Sequence, residues 1–197
     1  EPEIIKLNNN TNRVKTMKII ALIPARMESS RLPNKALLDI HGLPMIIHVA
    51  KRSKYSKSVD DVIVCTDSLD ILNECAKHEV DCFLTKKIHK NGTERICEVV
   101  NNIDISDNDL VIDIQGDEPL ITPEAIAETL HHFADPAVKI VNIMSKLRTL
   151  DAFIDKNNVK VVVDQNNNAL YFSREPIPSP WNGWEHLPRY MQTGIIA

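Results

Sequence analysis

Residues 18–35 read KIIALIPARMESSRLPNK, an apolar run that leads into a loop carrying three cations, Arg26, Arg31 and Lys35. The apolar half, residues 19–23, predicts a short buried strand. In parallel sheets, ligands bind beyond the C-terminal ends of strands. The loop therefore indicates a site for phosphate groups, because Arg offers a planar fork for two oxygens and Lys offers a mobile point charge.

This loop does not follow the two common phosphate-binding patterns. Residues 18–35 contain neither the GxxxxGK[ST] of a Walker loop nor the GxGxxG of a dinucleotide fingerprint. Taken alone, the three cations also fit a solvated loop, because clusters of charge are common on protein surfaces. Other motifs along the chain must decide between a triphosphate site and a surface loop.

The rest of the chain alternates between apolar strands and amphipathic helices. Strands are predicted at 62–65, 82–84, 110–114, 138–144, 159–163 and 169–172, and helices at 43–55, from Ser68, at 94–103 with Thr93 as a cap, and from Thr122. This rhythm predicts an α/β fold, a three-layer α/β/α sandwich with a mostly parallel sheet and a small strand-rich part after residue 138. Residues 1–16 show no period and predict a tail or linker, so we expect one domain over 17–197.

Composition argues against several classes of protein. The chain has 197 residues, 43% hydrophobic and 25% charged, which is the balance of a soluble globular protein. The net charge of −4 does not indicate a nucleic-acid surface, and no apolar run approaches the ~20 residues that span a bilayer. Residues 1–16 lack the apolar core of a signal peptide. We therefore expect a cytoplasmic protein without nucleic-acid or membrane partners. Its four cysteines form no CxxC pair and predict reduced, mostly buried thiols.

Five motifs follow one another in a recognisable order. They are IPAR with SRLPNK (23–26 and 30–35), CTD (65–67), NGTER (91–95), QGDEP (115–119), and ALYFSR with IP (169–174 and 177–178). From residue 17 to about residue 196 the chain resembles the sugar nucleotidyltransferases, more narrowly the 3-deoxy-manno-octulosonate (Kdo) cytidylyltransferases. The resemblance implies the nucleotide-diphospho-sugar transferase type of fold. It also implies transfer of CMP from CTP to a 3-deoxy keto-sugar acid, with release of pyrophosphate, to activate the sugar for lipopolysaccharide or capsule synthesis.

The resemblance also implies a role for residues in four of the five motifs. The implied nucleotide-binding residues are Pro24, Ala25, Arg26, Arg31, Lys35, Asn91, Gly92 and Arg95. The implied catalytic residues are Lys35, Arg31 and Asp117, and Asp117 is the implied ligand of Mg²⁺, which prefers carboxylate and phosphate oxygens. The implied sugar-binding residues are Gln115, Arg174 and Gln192.

The chain departs from the family pattern at two places. Where the family shows His-Leu-Gly-Ile-Tyr, this sequence has Gln192 in place of the His and Ile196 in place of the Tyr, so the sugar acid is Kdo or a close relative. The sequence stops at Ala197, before the family's Val-Asp-Thr-Pro-Glu-Asp motif and a dimer-forming stretch. We therefore expect a C-terminally incomplete chain whose full-length form is a homodimer. Two alternatives stay open: a nucleotidyltransferase for a different sugar acid, and a nucleotide-binding module or fragment without activity.

Overall fold

The computed structural model describes residues 4–5, 17–28, 32–86 and 89–197. The strands are β1 (Ile4–Ile5), β2 (Ile19–Ala25), β3 (Asp39–Ile40), β4 (Leu43–Pro44), β5 (Asp61–Thr66), β6 (Asp81–Leu84), β7 (Leu110–Ile114), β8 (Asn142–Lys146), β9 (Lys160–Val163), β10 (Ala169–Ser173) and β11 (Tyr190–Ile196). The helices are α1 (Met45–Lys54), α2 (Leu69–Lys77), α3 (Gly92–Val100), α4 (Pro123–His131) and α5 (Leu150–Ile154), with short 3-10 helices at Lys35–Leu37 and His132–Ala134. They form two compact units, Glu1–Val141 with Ile195–Ala197, and Asn142–Gly194.

The first unit is built on a sheet whose central strands are parallel. Its strand order is β1-β6-β5-β2-β7, followed by the last residues of β11. The pairs β6–β5, β5–β2 and β2–β7 are parallel, whereas β1 and β11 pair antiparallel with their neighbours. The chain proceeds outward from β2 to β5 and β6 and then returns to place β7 on the other side of β2. The boundary between β2 and β7 is therefore a topological switch point, where open parallel sheets bind their ligands.

Both faces of this sheet are buried, as the continuous apolar strands predict. On one face, Ile96 and Val99 of α3 pack with Ile20 and Leu22 of β2. The alternate β2 residues Ala21 and Ile23 point to the other face and are equally inaccessible to water, and α1 contacts β2 and β5. The predicted three-layer α/β fold is confirmed.

Local capping signals explain where the helices begin. Ser68 accepts a hydrogen bond from the Ile71 backbone N–H at the start of α2, and Thr122 does the same for Ala125 at the start of α4, as predicted. The prediction of Thr93 as the cap of α3 is wrong, because the helix begins two residues earlier. Asn91 is the cap, and its side-chain oxygen accepts from the backbone N–H of Glu94 at 2.9 Å.

The second unit contains the strand-rich part predicted after residue 138. Strand β9 pairs antiparallel with β10 and with the start of β11, which also pairs with β8. Lys160 of β9 is fully buried, and its ammonium donates to the backbone carbonyls of Asp155, Asn158 and Arg174 at 2.9, 2.8 and 2.6 Å. These three bonds tie the 155–158 turn to the end of β10. Helix α5 was not predicted, because five residues are too few to show a helical period.

The structure also bears on the predictions for the N-terminal tail, the cysteines and membrane-spanning segments. Residues 4–5 of the predicted tail form a strand on β6, while the remainder of residues 1–16 lies outside the described residues. The cysteines are free thiols, buried at Cys65, Cys75 and Cys82 and exposed at Cys97, as predicted. Among the described residues, no helix combines the length and the apolar character needed to cross a membrane.

Candidate functional site

A cavity of about 650 Å³ opens where β2 and β7 end, at the switch point of the sheet. Its lining residues come from the end of β2, the loop and short 3-10 helix that follow it, the start of α1 and the turn after β7: Pro24, Ala25, Arg26, Glu28, Leu32, Lys35, Ala36, Met45, Gln115, Gly116 and Asp117. Described residues of two predicted motifs, IPAR with SRLPNK and QGDEP, therefore line one cavity. Apolar walls are added by Leu32 within the first motif and by Ala36 and Met45 outside the motifs.

Lys35 and Asp117 meet across this cavity. The Lys35 ammonium lies 2.7 Å from Asp117 Oδ2, with 37% and 51% of the two side chains exposed. The loop brings Lys35 there through a turn at Asn34, whose φ of 57° is left-handed and whose N–H donates to the Met27 carbonyl at 3.3 Å. Both charged groups stay open to solvent, so a ligand can compete for either of them.

Pro24 is the point where three segments of the site converge. A Cβ added to Gly116 would lie 2.7 Å from the Pro24 carbonyl oxygen, and one added to Gly92 would lie 3.0 Å from Pro24 Cγ. A side chain at either position would therefore collide with Pro24, and glycine allows the close approach. The start of α3 and the turn after β7 are thereby fixed against the end of β2.

Arg95 and Asn91 make their contacts inside the protein. Arg95 is 4% exposed, its Nη1 donates to Thr85 Oγ1, and its Nη2 lies 3.3 Å from Asp67 Oδ2. Asn91 uses its side chain to cap α3. Within the described residues, neither side chain belongs to the cavity lining given above. Their implied nucleotide-binding roles stay predictions. The contact with buried Arg95 gives half-buried Asp67, in the CTD motif, a structural role.

Strand β7, which leads into the QGDEP motif, carries a carboxylate that was not predicted as a site residue. Asp113 lies on β7, its Oδ1 accepts a hydrogen bond from Gln115 Nε2 at 3.1 Å, and burial raises its pKa to about 6. Burial also raises the pKa of Glu118, and the neighbouring Asp117 adds to this while Lys35 opposes it. The available signal was a charged residue inside an otherwise apolar strand.

The remaining predicted site residues fall elsewhere. Arg31 lies outside the described residues. In the second unit, Arg174 follows β10 and donates from Nη1 to the Lys156 carbonyl at 2.8 Å. Gln192 lies on β11, half-buried, and its backbone N–H donates to the Val159 carbonyl at 2.9 Å. The implied roles of these three residues stay predictions.

Comparisons with known proteins agree with this arrangement. The cytidylyltransferase family model matches residues 20–193. The 3-deoxy-manno-octulosonate cytidylyltransferase of Neisseria meningitidis serogroup A is 42% identical over 163 residues, which are 83% of this chain and 64% of that protein. The enzyme of the same name from Pelobacter propionicus is 41% identical over 172 residues, covering 87% of this chain and 66% of the relative. This chain therefore spans less than two thirds of the length of the curated relatives it matches.

A solved structure gives the same result in three dimensions. CMP:2-keto-3-deoxy-manno-octonic acid synthetase complexed with CTP matches with a TM-score of 0.83 and 37% identity, over 91% of this chain and 73% of that one. The motifs, the sheet with its switch-point cavity and these matches agree: the chain belongs to the cytidylyltransferase family and is similar within it to the Kdo cytidylyltransferases.

Proposed function

We propose that the protein transfers CMP from CTP to Kdo or a closely related 3-deoxy keto-sugar acid, releasing pyrophosphate. The observation that carries the proposal is the cavity at the switch point, where Arg26, Lys35 and Asp117 lie together. The names of the relatives and of the CTP-bound structure support the same reaction. The product would be an activated sugar for lipopolysaccharide or capsule synthesis, made in the cytoplasm by a protein that pairs as a homodimer.

The cavity suits a nucleoside triphosphate for electrostatic reasons. Arg26 and Lys35 place positive charge at the C-terminal end of β2, and the predicted contribution of Arg31 comes from the same loop. Apolar side chains such as Met45 give the cavity a surface against which a base can pack. Cations held in place before reaction stabilise charge that develops on the phosphates in the transition state.

The residues present fit a magnesium ion held mainly by the nucleotide. Across the described ranges, no three His, Cys, Asp or Glu side chains converge on a common point, whereas Asp117 offers one half-exposed carboxylate in the cavity. One or two carboxylates together with substrate phosphates are a common ligand set for Mg²⁺. Asp117 would hold the ion, which would supply neutralisation of phosphate charge.

The chemistry asked of this chain is positioning and charge stabilisation. The anomeric hydroxyl of the sugar acid attacks the α-phosphorus, a new oxygen–phosphorus bond forms, and the bond to the leaving pyrophosphate breaks. The hydroxyl loses its proton to water. Lys35 stabilises the added negative charge, and its contact with Asp117 keeps the ammonium at the cavity in the absence of nucleotide. Gln115 faces the same cavity and is proposed to contact the sugar. Arg174 would pair with the sugar carboxylate as a planar fork, and Gln192 would contact the sugar as well.

The test uses the purified full-length protein that carries this sequence. With CTP, Kdo and Mg²⁺ we expect pyrophosphate release and a CMP-sugar detectable by mass spectrometry. A panel of 3-deoxy keto-sugar acids determines whether Gln192 and Ile196 select a relative of Kdo. A protein that binds CTP but turns over no sugar acid is the non-catalytic binding module instead. A protein that fails to bind CTP contradicts the proposal altogether.

A further inference from the structure

Asp113 places a carboxylate within the apolar strand β7, where loss of water disfavours its charged form. It lies on β7 between two strands, in register with Leu22 of β2 on one side and Ile196 of β11 on the other. Burial in these surroundings disfavours the charged form and raises the pKa of Asp113 to about 6. Because the strand would be more stable with an apolar residue, the carboxylate calls for an explanation.

The contact made by Asp113 has a definite direction. Its Oδ1 accepts a hydrogen bond from Gln115 Nε2 at 3.1 Å. An ionised carboxylate only accepts hydrogen bonds, so the NH₂ side of the Gln115 amide must be the side that turns toward it. The amide is planar, and its carbonyl oxygen Oε1 therefore lies on the side away from Asp113. Gln115 itself lines the cavity beside Gly116 and Asp117.

We propose that Asp113 is a positioning residue that fixes the Gln115 amide with its carbonyl oxygen toward the cavity, where it accepts a hydrogen bond from a hydroxyl of the sugar acid. The inference rests on the proposed function and adds a determinant of specificity to it. An unanchored glutamine can offer either a donor or an acceptor, whereas the anchored one offers an acceptor. The site would then favour ligands that present an O–H group at this position.

A purely structural role for Asp113 makes different predictions. If Asp113 mattered only for the stability of β7, its replacement would affect CTP and the sugar acid together, because Gly116 and Asp117 follow on the same segment. If it acts through Gln115, the effect is confined to the sugar acid and disappears once Gln115 is gone. Comparing the KM for CTP with the KM for the sugar acid therefore distinguishes a structural role of Asp113 from a positioning role.

The experiment is a double-mutant cycle on the full-length protein at about pH 8, measuring pyrophosphate release with CTP and Kdo. The variants are Asp113→Asn, Gln115→Ala and the two combined. Asp61→Asn is the matched control, since Asp61 is an exposed aspartate at the N-terminal end of β5, which is separated from β7 by β2 in the same sheet. An asparagine at position 113 can present either its oxygen or its NH₂ group to Gln115, so it no longer fixes one orientation of that amide. We therefore expect Asp113→Asn to lower kcat/KM for the sugar acid by up to about tenfold, through KM, which is the loss typical of one misplaced hydrogen bond. The KM for CTP should stay within about twofold.

The outcomes separate the two proposals. In the Gln115→Ala background, adding Asp113→Asn should have no further effect on the KM for the sugar acid. Equal losses for CTP and the sugar acid, or full additivity of the two substitutions, would overturn the inference while leaving the proposed function in place. An active enzyme in which Asp113→Asn behaves like Asp61→Asn would do the same. A wild-type protein that releases no pyrophosphate with any sugar acid would contradict both the proposed function and the inference about Asp113.

Discussion

Two ion pairs in the first unit join a basic side chain to an aspartate, and they differ in how far water reaches them. Lys35 and Asp117 are 2.7 Å apart with 37% and 51% of their side chains exposed. Arg95 and Asp67 are 3.3 Å apart with 5% and 22% exposed. Exposed pairs contribute about 0–1 kcal/mol to stability, whereas breaking a buried pair costs about 3–5 kcal/mol. The resemblance implied a nucleotide contact for both Lys35 and Arg95, but only the first pair is available to a ligand without a cost in folding.

The largest expected effect is on activity, at the exposed pair. We expect Lys35→Met to lower kcat about 100- to 1,000-fold, the range seen when one charge-stabilising group is removed from a transition state. The free energy of unfolding should change by less than about 1 kcal/mol, because the pair is exposed. Pyrophosphate release and urea denaturation measure the two quantities.

Lys77→Met is the matched control for this variant. Lys77 also forms a 2.7 Å ion pair, with Glu74 on α2, and it is 68% exposed. It should change neither activity nor stability appreciably. If Lys35→Met kept the wild-type rate, Lys35 would have no part in the reaction. The exposed pair would then differ from the Arg95–Asp67 pair in accessibility but not in function.

The next effect is on stability, at the buried pair. We expect Arg95→Met to lower the free energy of unfolding by about 3 kcal/mol, because it leaves Asp67 without its cation and Thr85 without its donor. Asp67→Asn should cost less, since Asp67 is more exposed and an amide can still accept a hydrogen bond from Arg95. Urea denaturation checks both variants. If Arg95→Met had wild-type stability but no longer bound CTP, Arg95 would be a nucleotide ligand, as the resemblance implied.

The contrast between these pairs also explains what the sequence could predict. Local signals sufficed for the apolar run at 19–25, for Ser68 and Thr122 as caps, and for the loop that carries Lys35, because each depends on neighbours along the chain. The burial of Arg95 depends on β5 and the end of β6 meeting the start of α3, which no local pattern encodes. A motif shows that a residue matters but does not show whether it faces a ligand or the protein.

Asp113 shows the same limit inside a single strand. The apolar run 110–114 predicted β7 correctly, and the aspartate within it carried no local sign of its partner. Its importance became visible only when the structure placed its side chain against Gln115. The placement of Thr93 as the cap of α3 failed for a simpler reason: Asn91 and Thr93 are both good capping residues, and the sequence does not choose between them.

A smaller effect, dependent on pH, is expected at Asp113. The pKa of this carboxyl is raised to about 6 in the folded protein by burial, so the folded state binds the proton more tightly than the unfolded chain does. The contribution of Asp113 to stability is therefore fully present at low pH and is lost as the pH rises through about 6. We expect Asp113→Asn to be more stable than the wild type at about pH 8, on the order of 2 kcal/mol, and the difference to shrink below about pH 5.

Thermal or urea unfolding at several pH values measures this difference. The Asp61→Asn variant again serves as the control, because Asp61 is exposed at the N-terminal end of β5. A stabilisation of Asp113→Asn that was equal at all pH values would show that the pKa of Asp113 is the same in the folded and unfolded chains, so that burial does not disfavour its charged form. Burial would then not set the ionisation of Asp113 apart from that of an exposed carboxylate.

The smallest effect is expected at the start of α3, beside the buried pair. Asn91→Ala removes the side-chain oxygen that accepts from the Glu94 N–H, and we expect a loss of about 1 kcal/mol in the free energy of unfolding. Asn91→Ser keeps a capping oxygen and should cost at most a few tenths of that amount. Both variants should bind CTP with nearly the wild-type Kd in calorimetry, because Asn91 already uses its oxygen inside the protein. If Asn91→Ser were stable but bound CTP at least tenfold more weakly, Asn91 would be a nucleotide ligand as the resemblance implied. The start of α3 would then contact the nucleotide, as is proposed for Lys35, and would not serve only to stabilise the protein, as is proposed for Arg95.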